Sequence, residues 1–318
     1  MMDTVSNNTV LTCSLELPKH YRADDILAFH NRDVLAVAES VDGHSLRKGL
    51  LWNHQAACLT IRFNNNSADV ELAIDGLATT NDADALFNLV RRMLGLTQQV
   101  EDFEQSYRQH PQLGMLIAQQ PGLRVPTSAT VFEALSWAIT GQQISVSAAI
   151  SIRRKLIQAA GVMHSSGLAC YPDAKQLALL SESDLRQAGF SQTKAQTLLV
   201  VSRMIEIEEL SLENVIGTSN IEEIRRQLLQ IRGIGPWTVN YALLRGFGWL
   251  DGSLHGDVAV RHGLQALLGN ADKMTEQQAQ QWLMPFSPWR ALVAAHLWAF
   301  SIRQARVRRC NSTARNRA

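Results

Sequence analysis

Two features of this chain have residue types and a spacing that could do chemistry. Residues 228–244 read LLQIRGIGPWTVNYALL, and Asp257 follows Trp237 by 20 positions. In the first feature an apolar helix ends near Ile231, and Gly233-Ile234-Gly235 reverses the chain. Pro236 then opens a second helix, since a proline at the first helical position lacks only an N–H that would be unpaired there anyway. Both glycines are expected to use the conformational freedom of a missing Cβ, with Ile234 plugging the two helices together. Such a hairpin aims successive N–H groups outward at a helix N-terminus, which is an anion site suited to a DNA phosphate. A structural hairpin with glycine in its turn fits the same residues. Asp257 precedes an apolar-periodic stretch, so it is expected to cap that helix. A carboxylate at that place is also a fixed negative charge favoured by the helix dipole.

The rest of the composition limits what these features could serve. The 318 residues carry 30 basic and 29 acidic groups, and 46% of residues are hydrophobic. That is ordinary globular composition, enough for about two domains. Residues 1–125 hold 10 basic and 15 acidic groups, residues 126–302 hold 14 of each, and the last 16 residues hold six arginines and no acid. Bulk charge therefore does not mark a nucleic-acid binder, and any grip on DNA must come from local amides and a few placed side chains. Cysteines at 13, 58, 170 and 310 are too scattered for a zinc ribbon or an iron–sulfur loop. They suit a reducing cytoplasm. No apolar run is long enough for a membrane span, and no secretory signal is expected.

The elements that must position these residues fall into two kinds. Residues 9–17, 34–38, 49–52, 57–63 and 70–74 read as strands, with NNNS at 64–67 as a hairpin turn. Residues 24–32 and 83–94 show helical spacing. This first part, residues 9–125, is predicted to be α+β with an antiparallel sheet. After the break QQPGLRVP at 119–126, helices are expected at 131–140, 145–159, 191–206, 221–230, 236–245, 258–268, 276–283 and 289–301. The second part, residues 126–302, is thus predicted to be all-α, with a disordered basic tail at 303–318.

Taken together, LQIRGIGPWT, a glycine-containing loop and then an aspartate resemble the helix-hairpin-helix base-excision DNA glycosylase superfamily, HhH-GPD. Within it the chain is most similar to the AlkA type, DNA-3-methyladenine glycosylase II. WAITGQQISVSAA (137–149) resembles the segment that enters the duplex, SPWRALVAAHLW (287–298) the C-terminal active-site helix, and PGLRVP the domain junction. The resemblance implies a TATA-binding-protein-like N-terminal domain and a monomer acting on double-stranded DNA that contains damaged bases.

It also implies roles. Asp257 would be the catalytic carboxylate, stabilising a sugar with oxocarbenium character after the nucleotide is flipped out. Trp237, Tyr241, Trp298 and Phe29 would form the base pocket, whose aromatic faces attract cationic bases such as 3-methyladenine and 7-methylguanine. Gly233, Ile234, Gly235 and Thr238 would hold the DNA backbone, and Gln143 would fill the gap left by the flipped base, where the close relative has leucine. Ala299 stands where that relative has another aromatic, which implies a wider pocket. Lyase-type relatives carry a lysine two positions after the second glycine. Trp237 stands there, which implies a hydrolytic glycosylase without lyase activity, and Lys194 has no evident reason to point inward. No cofactor is implied, although the main-chain carbonyls of Leu229, Ile231 and Ile234 could hold a monovalent cation. A DNA-binding protein without chemistry and a glycosylase for oxidised bases are the competing readings. Asp257 argues against the first, and the missing lysine and cysteine cluster against the second.

Overall fold

The computed structural model describes residues 8–212 and 221–315. Contacts divide the chain into two compact units: Met1–Leu96 with Pro126–Phe247, and Thr97–Val125 with Gly248–Ala318.

The first unit opens with a five-stranded antiparallel sheet of β1 (Thr9–Glu16), β2 (Glu39–Asp42), β3 (Ser45–Trp52), β4 (Gln55–Phe63) and β5 (Ser67–Ile74), in the order β1-β5-β4-β3-β2. Alternating residues bury Leu46, Leu59, Ile61, Leu72 and Ile74, and the helix Asp82–Met93 adds Leu86, Val90 and Met93 to the same core. The α+β reading therefore holds. The strand expected at 34–38 is instead a turn. The Asp33 carboxylate accepts the N–H of Leu35, its carbonyl accepts the N–H of Ala36, and Ala36 turns to φ 49°. An aspartate that bonds its own following backbone competes with the strand ladder.

The helices of this unit are Ala23–His30, Asp82–Met93, Val131–Gly141, Val146–Ala160, Ala174–Ala178, Glu182–Gln187, Gln192–Glu206, Ile221–Gln230 and Pro236–Ala242. A β-bridge, Met163 to Ala169, interrupts the helical part. The last helix runs into a π-helical turn, Leu243–Phe247. Buried polar groups tie these elements together. Arg92 donates to the carbonyls of Ser128, Ala129 and Gly246. Lys48 on β3, fully buried, donates to Glu39 at 2.6 Å and Glu133 at 2.8 Å, and Arg153 reaches the same two carboxylates. Burial pushes the Glu39 carboxyl up, but Arg153 and Lys48 outweigh it and hold it well below its ordinary range.

In the second unit the helices Val100–Tyr107 and Leu113–Gln119 accompany Val258–Leu268, Glu276–Leu283 and Arg290–Arg315. Phe103 meets Trp289 and His296, and Tyr107 meets Phe286, in an aromatic core. The final helix continues to Arg315, beyond the end at 301 expected for it. No proline or glycine follows Pro288 to stop it, and arginine and alanine are good helix formers.

Candidate active-site residues

Asp257 is the N-cap of the helix Val258–Leu268. Its Oδ1 accepts the N–H groups of Ala259 at 2.9 Å and Val260 at 3.0 Å. The indole Nε1 of Trp298 donates to the same oxygen at 3.0 Å. Gly263 makes this meeting of two helices possible. A Cβ there would lie 2.5 Å from the carbonyl oxygen of Leu297, so only glycine lets the helix carrying Trp298 come so close. The carboxylate is therefore fixed by its own helix and by a side chain 41 residues away. Trp298, expected as a pocket wall, also orients Asp257.

The hairpin lies in the other unit. The helix Ile221–Gln230 ends, Ile234 is buried at 6% exposure, and Pro236 stands at the start of Pro236–Ala242. The two glycines differ. Gly233 has φ 91°, and a Cβ on it would lie 2.2 Å from the Thr197 hydroxyl oxygen, which donates to the Arg232 carbonyl. Gly235 is extended (φ −104°, ψ 173°), and an added Cβ there meets open space. Only Gly233 uses positive φ. Gly235 caps the helix without any side-chain hydrogen bond.

Gln143 is exposed at a turn with φ 55°, a conformation that side chains rarely adopt without outside support. The support comes from two sides. The Lys194 ammonium donates to the carbonyls of Thr140 at 2.9 Å and Gln142 at 2.7 Å. The Gln142 amide donates to the Gly233 carbonyl and the Thr238 hydroxyl, each at 2.9 Å. Lys194 thus caps the helix Val131–Gly141 and holds this loop, a role its sequence position did not suggest. Thr238, expected at the DNA, is only 2% exposed and its hydroxyl is committed to Gln142. Ile144 and Val146, beside Gln143, are exposed apolar residues.

The remaining aromatic residues gather in the hairpin unit. Trp237 and Tyr241 have ring centroids 5.2 Å apart. Trp137 donates from its indole to the Tyr241 hydroxyl at 3.1 Å. Phe29 carries the Arg32 guanidinium 4.0 Å and the Arg245 guanidinium 4.7 Å from its ring centre. Trp137, Arg32 and Arg245 were not singled out from the sequence. A signal existed in the spacing: Arg32 follows Phe29 by three residues and Arg245 follows Tyr241 by four, the intervals at which helical side chains meet.

The carbonyls of Leu229, Ile231 and Ile234 stand at a helix end and its turn, where C=O groups lack intrahelical donors. Ile231 O accepts Ile234 N at 3.1 Å. Among the described residues no His, Cys, Asp and Glu cluster could hold a metal.

Comparison with known proteins decides the family. An AlkA N-terminal domain model matches residues 12–130, and the model for HhH-GPD superfamily base excision DNA repair proteins matches residues 136–288. The chain belongs to the HhH-GPD superfamily. It is 27% identical over 212 residues to a DNA-3-methyladenine glycosylase of Bacillus subtilis (strain 168), covering 66% of this chain and 70% of that one. It is 29% identical over 191 residues to DNA-3-methyladenine glycosylase 2 of Escherichia coli (strain K12), covering 58% and 63%. The HhH-GPD fold is shared with the 3-methyladenine DNA-glycosylase of Archaeoglobus fulgidus, at TM-score 0.76 and 20% identity over 91% of this chain and 98% of that one. An 8-oxoguanine glycosylase/lyase of Clostridium acetobutylicum in complex with DNA matches at TM-score 0.65 and 15% identity over 85% and 89%.

Proposed function

We propose that this HhH-GPD protein is a DNA glycosylase that flips alkylated bases such as 3-methyladenine and 7-methylguanine out of double-stranded DNA and releases them by hydrolysis. The observation that carries this reading is Asp257, held by three N–H groups on one oxygen. A carboxylate fixed before substrate arrives needs no reorganisation when positive charge develops on the sugar, which is how electrostatic catalysis gains most.

The hairpin unit supports the steps before bond cleavage. The turn at Gly233–Gly235 offers main-chain N–H groups to a phosphate. The supported loop at Gln143 presents a side chain that can occupy the space of an extruded base and hydrogen-bond its orphaned partner. Trp237 and Tyr241 offer faces for the base itself. Extrusion costs a few kcal/mol and is easiest for damaged, weakly paired bases. Water is the final acceptor in this reading. Trp237 stands where a lyase would carry its lysine, and the Lys194 ammonium is engaged with two carbonyls.

The test is incubation of the purified chain with methylated duplex DNA. Release of free 3-methyladenine that leaves intact abasic strands supports a monofunctional glycosylase. Release with strand cleavage and a borohydride-trapped adduct would make it a lyase as well. No base release would reject the reading.

A further inference from the structure

Residues 1–302 carry 24 basic and 29 acidic groups, a net charge of −5. All the net positive charge of the chain therefore stands in residues 303–318, as Arg303, Arg306, Arg308, Arg309, Arg315 and Arg317 with no acid among them. A body of negative sign repels a polyanion, so a grip on DNA gains most from this stretch.

Its placement matters as much as its charge. The helix Arg290–Arg315 carries Trp298, whose indole holds Asp257, and continues unbroken into the arginines. At about 1.5 Å per residue, the backbone from Arg303 to Arg315 spans about 18 Å. A duplex carries one phosphate charge per about 1.7 Å of its axis, so about ten lie along that length. The stretch also lies beyond the residues matched by the HhH-GPD model.

The residue types select the partner. Val307 is the one large apolar residue among 303–318. A helix that packs on a core needs an apolar stripe, and one that lies in a lipid surface needs an apolar face opposite its basic one. Neither is present. Arginines at 303, 306 and 309 recur every three residues, and no acid is at hand for the pairs that steady an exposed helix. An external polyanion relieves that repulsion. Every cation in the stretch is arginine and none is lysine, and the guanidinium fork matches the paired oxygens of a phosphodiester. Arg303 is already engaged with the side chain and carbonyl of Gln119, at 3.3 and 3.5 Å.

We infer that the basic extension of the final helix is a clamp for the phosphate backbone of duplex DNA, indifferent to sequence and lesion. The inference rests on DNA as the substrate, as proposed above. It adds the element that supplies the electrostatic part of the affinity.

The experiment compares wild type, a chain ending at Ile302 and the full-length triple variant Arg306→Gln/Arg308→Gln/Arg309→Gln. Glutamine has nearly the helix propensity of arginine, so the triple variant removes charge and leaves Arg303 with Gln119. Binding to an undamaged duplex, and to the same duplex with an abasic site, is titrated between about 50 and 200 mM salt. Each phosphate contact contributes about 0.9 to the slope of log K against log salt, so the triple variant should be shallower by about 2 to 3. Its affinity at the low-salt end should fall about tenfold or more, equally on both duplexes. The shorter chain should lose at least as much. Thermal melts control for folding, and the triple variant carries the test if the shorter chain melts lower. Unchanged slope and affinity in the triple variant overturns the inference. So does a loss confined to the abasic duplex, which would assign the stretch to lesion recognition. Vesicles of phosphatidylserine and of phosphatidylcholine form the last arm. Arginine-dependent binding to the anionic vesicles, with DNA binding unaltered, would assign the stretch to a lipid surface instead. Failure of the glycosylase reading looks different. A chain with a steep, arginine-dependent slope that releases no methylated base keeps the clamp and loses that reading. A chain that releases bases but shows equal slopes loses the clamp alone.

Discussion

Trp298 donates its indole N–H to Oδ1 of Asp257 across 3.0 Å, joining the final helix to the cap of the helix Val258–Leu268. The cap bonds fix the carboxylate along its own helix, and the indole fixes its rotation. The indole therefore positions the carboxylate, a role beyond the pocket lining expected of it, and Trp298→Phe separates the two roles. The ring stays while the donor is lost. We expect kcat for base release to fall about tenfold, since small misplacements of a catalytic group are costly, with little change in KM for DNA. The melting temperature should drop only slightly, by the equivalent of one hydrogen bond, about 1 kcal/mol. Single-turnover kinetics beside calorimetry checks this. A rise in KM alone would return Trp298 to a purely lining role.

The two hairpin glycines should respond in opposite ways. Gly233 has φ 91° and the Thr197 hydroxyl oxygen 2.2 Å from any added Cβ. Gly233→Ala is expected to destabilise by about 1–3 kcal/mol. Gly235 has an ordinary φ and open space around it. Gly235→Ala should melt like wild type yet bind duplex DNA more weakly, because the methyl group stands where a phosphate approaches. Thermal melting and a binding titration on both variants test the contrast.

Gln143→Gly keeps the left-handed turn and removes only the side chain. The melting temperature should hold or rise, since glycine relieves the strain at φ 55°. Affinity for duplex with an abasic site should fall about tenfold, within the range of losing one stacked contact. Unchanged affinity would mean that Gln143 does not fill the gap.

The buried ion network sets stability. Lys48→Met leaves Glu39 and Glu133 with Arg153 as their remaining buried cation, and breaking such a pair costs about 3–5 kcal/mol. His30, whose Nδ1 is 2.9 Å from Glu39 Oε1, adds a pH dependence. Burial lowers its pKa from 6.5, outweighing the pull of Glu39 and Glu133, while Lys48 adds to the lowering. The unfolded chain then binds the proton more readily than the folded one. The His30 contribution is full above pH 6.5 and is lost as pH falls from there through the folded value. Urea melts between pH 8 and 5.5 should show that loss in wild type and less of it in His30→Gln.

Local rules made part of this legible. The Gly-Ile-Gly-Pro reversal and the Asp257 cap depend on neighbours a few residues away, so the chain shows them directly. The relationships that give the residues their work are long-range. Asp257 meets Trp298 across 41 positions, Lys48 meets Glu133 across 85, and Arg32 lies over Trp137. No local pattern encodes such pairings. Two elements misled in a physical way. Val34 and Leu35 look like strand residues, but Asp33 bonds the backbone ahead of it and forces a turn. The basic tail looks unstructured by charge, yet nothing in it stops a helix already begun at Arg290.

The most direct test of the central claim is base release from methylated duplex DNA by wild type and Asp257→Asn side by side. Asparagine retains an oxygen for the cap and for the Trp298 indole, so fold and DNA affinity should be unchanged. The account predicts that wild type releases 3-methyladenine and that Asp257→Asn is slower by about 10²–10³. Equal rates for the two proteins would contradict it and remove Asp257 from the chemistry.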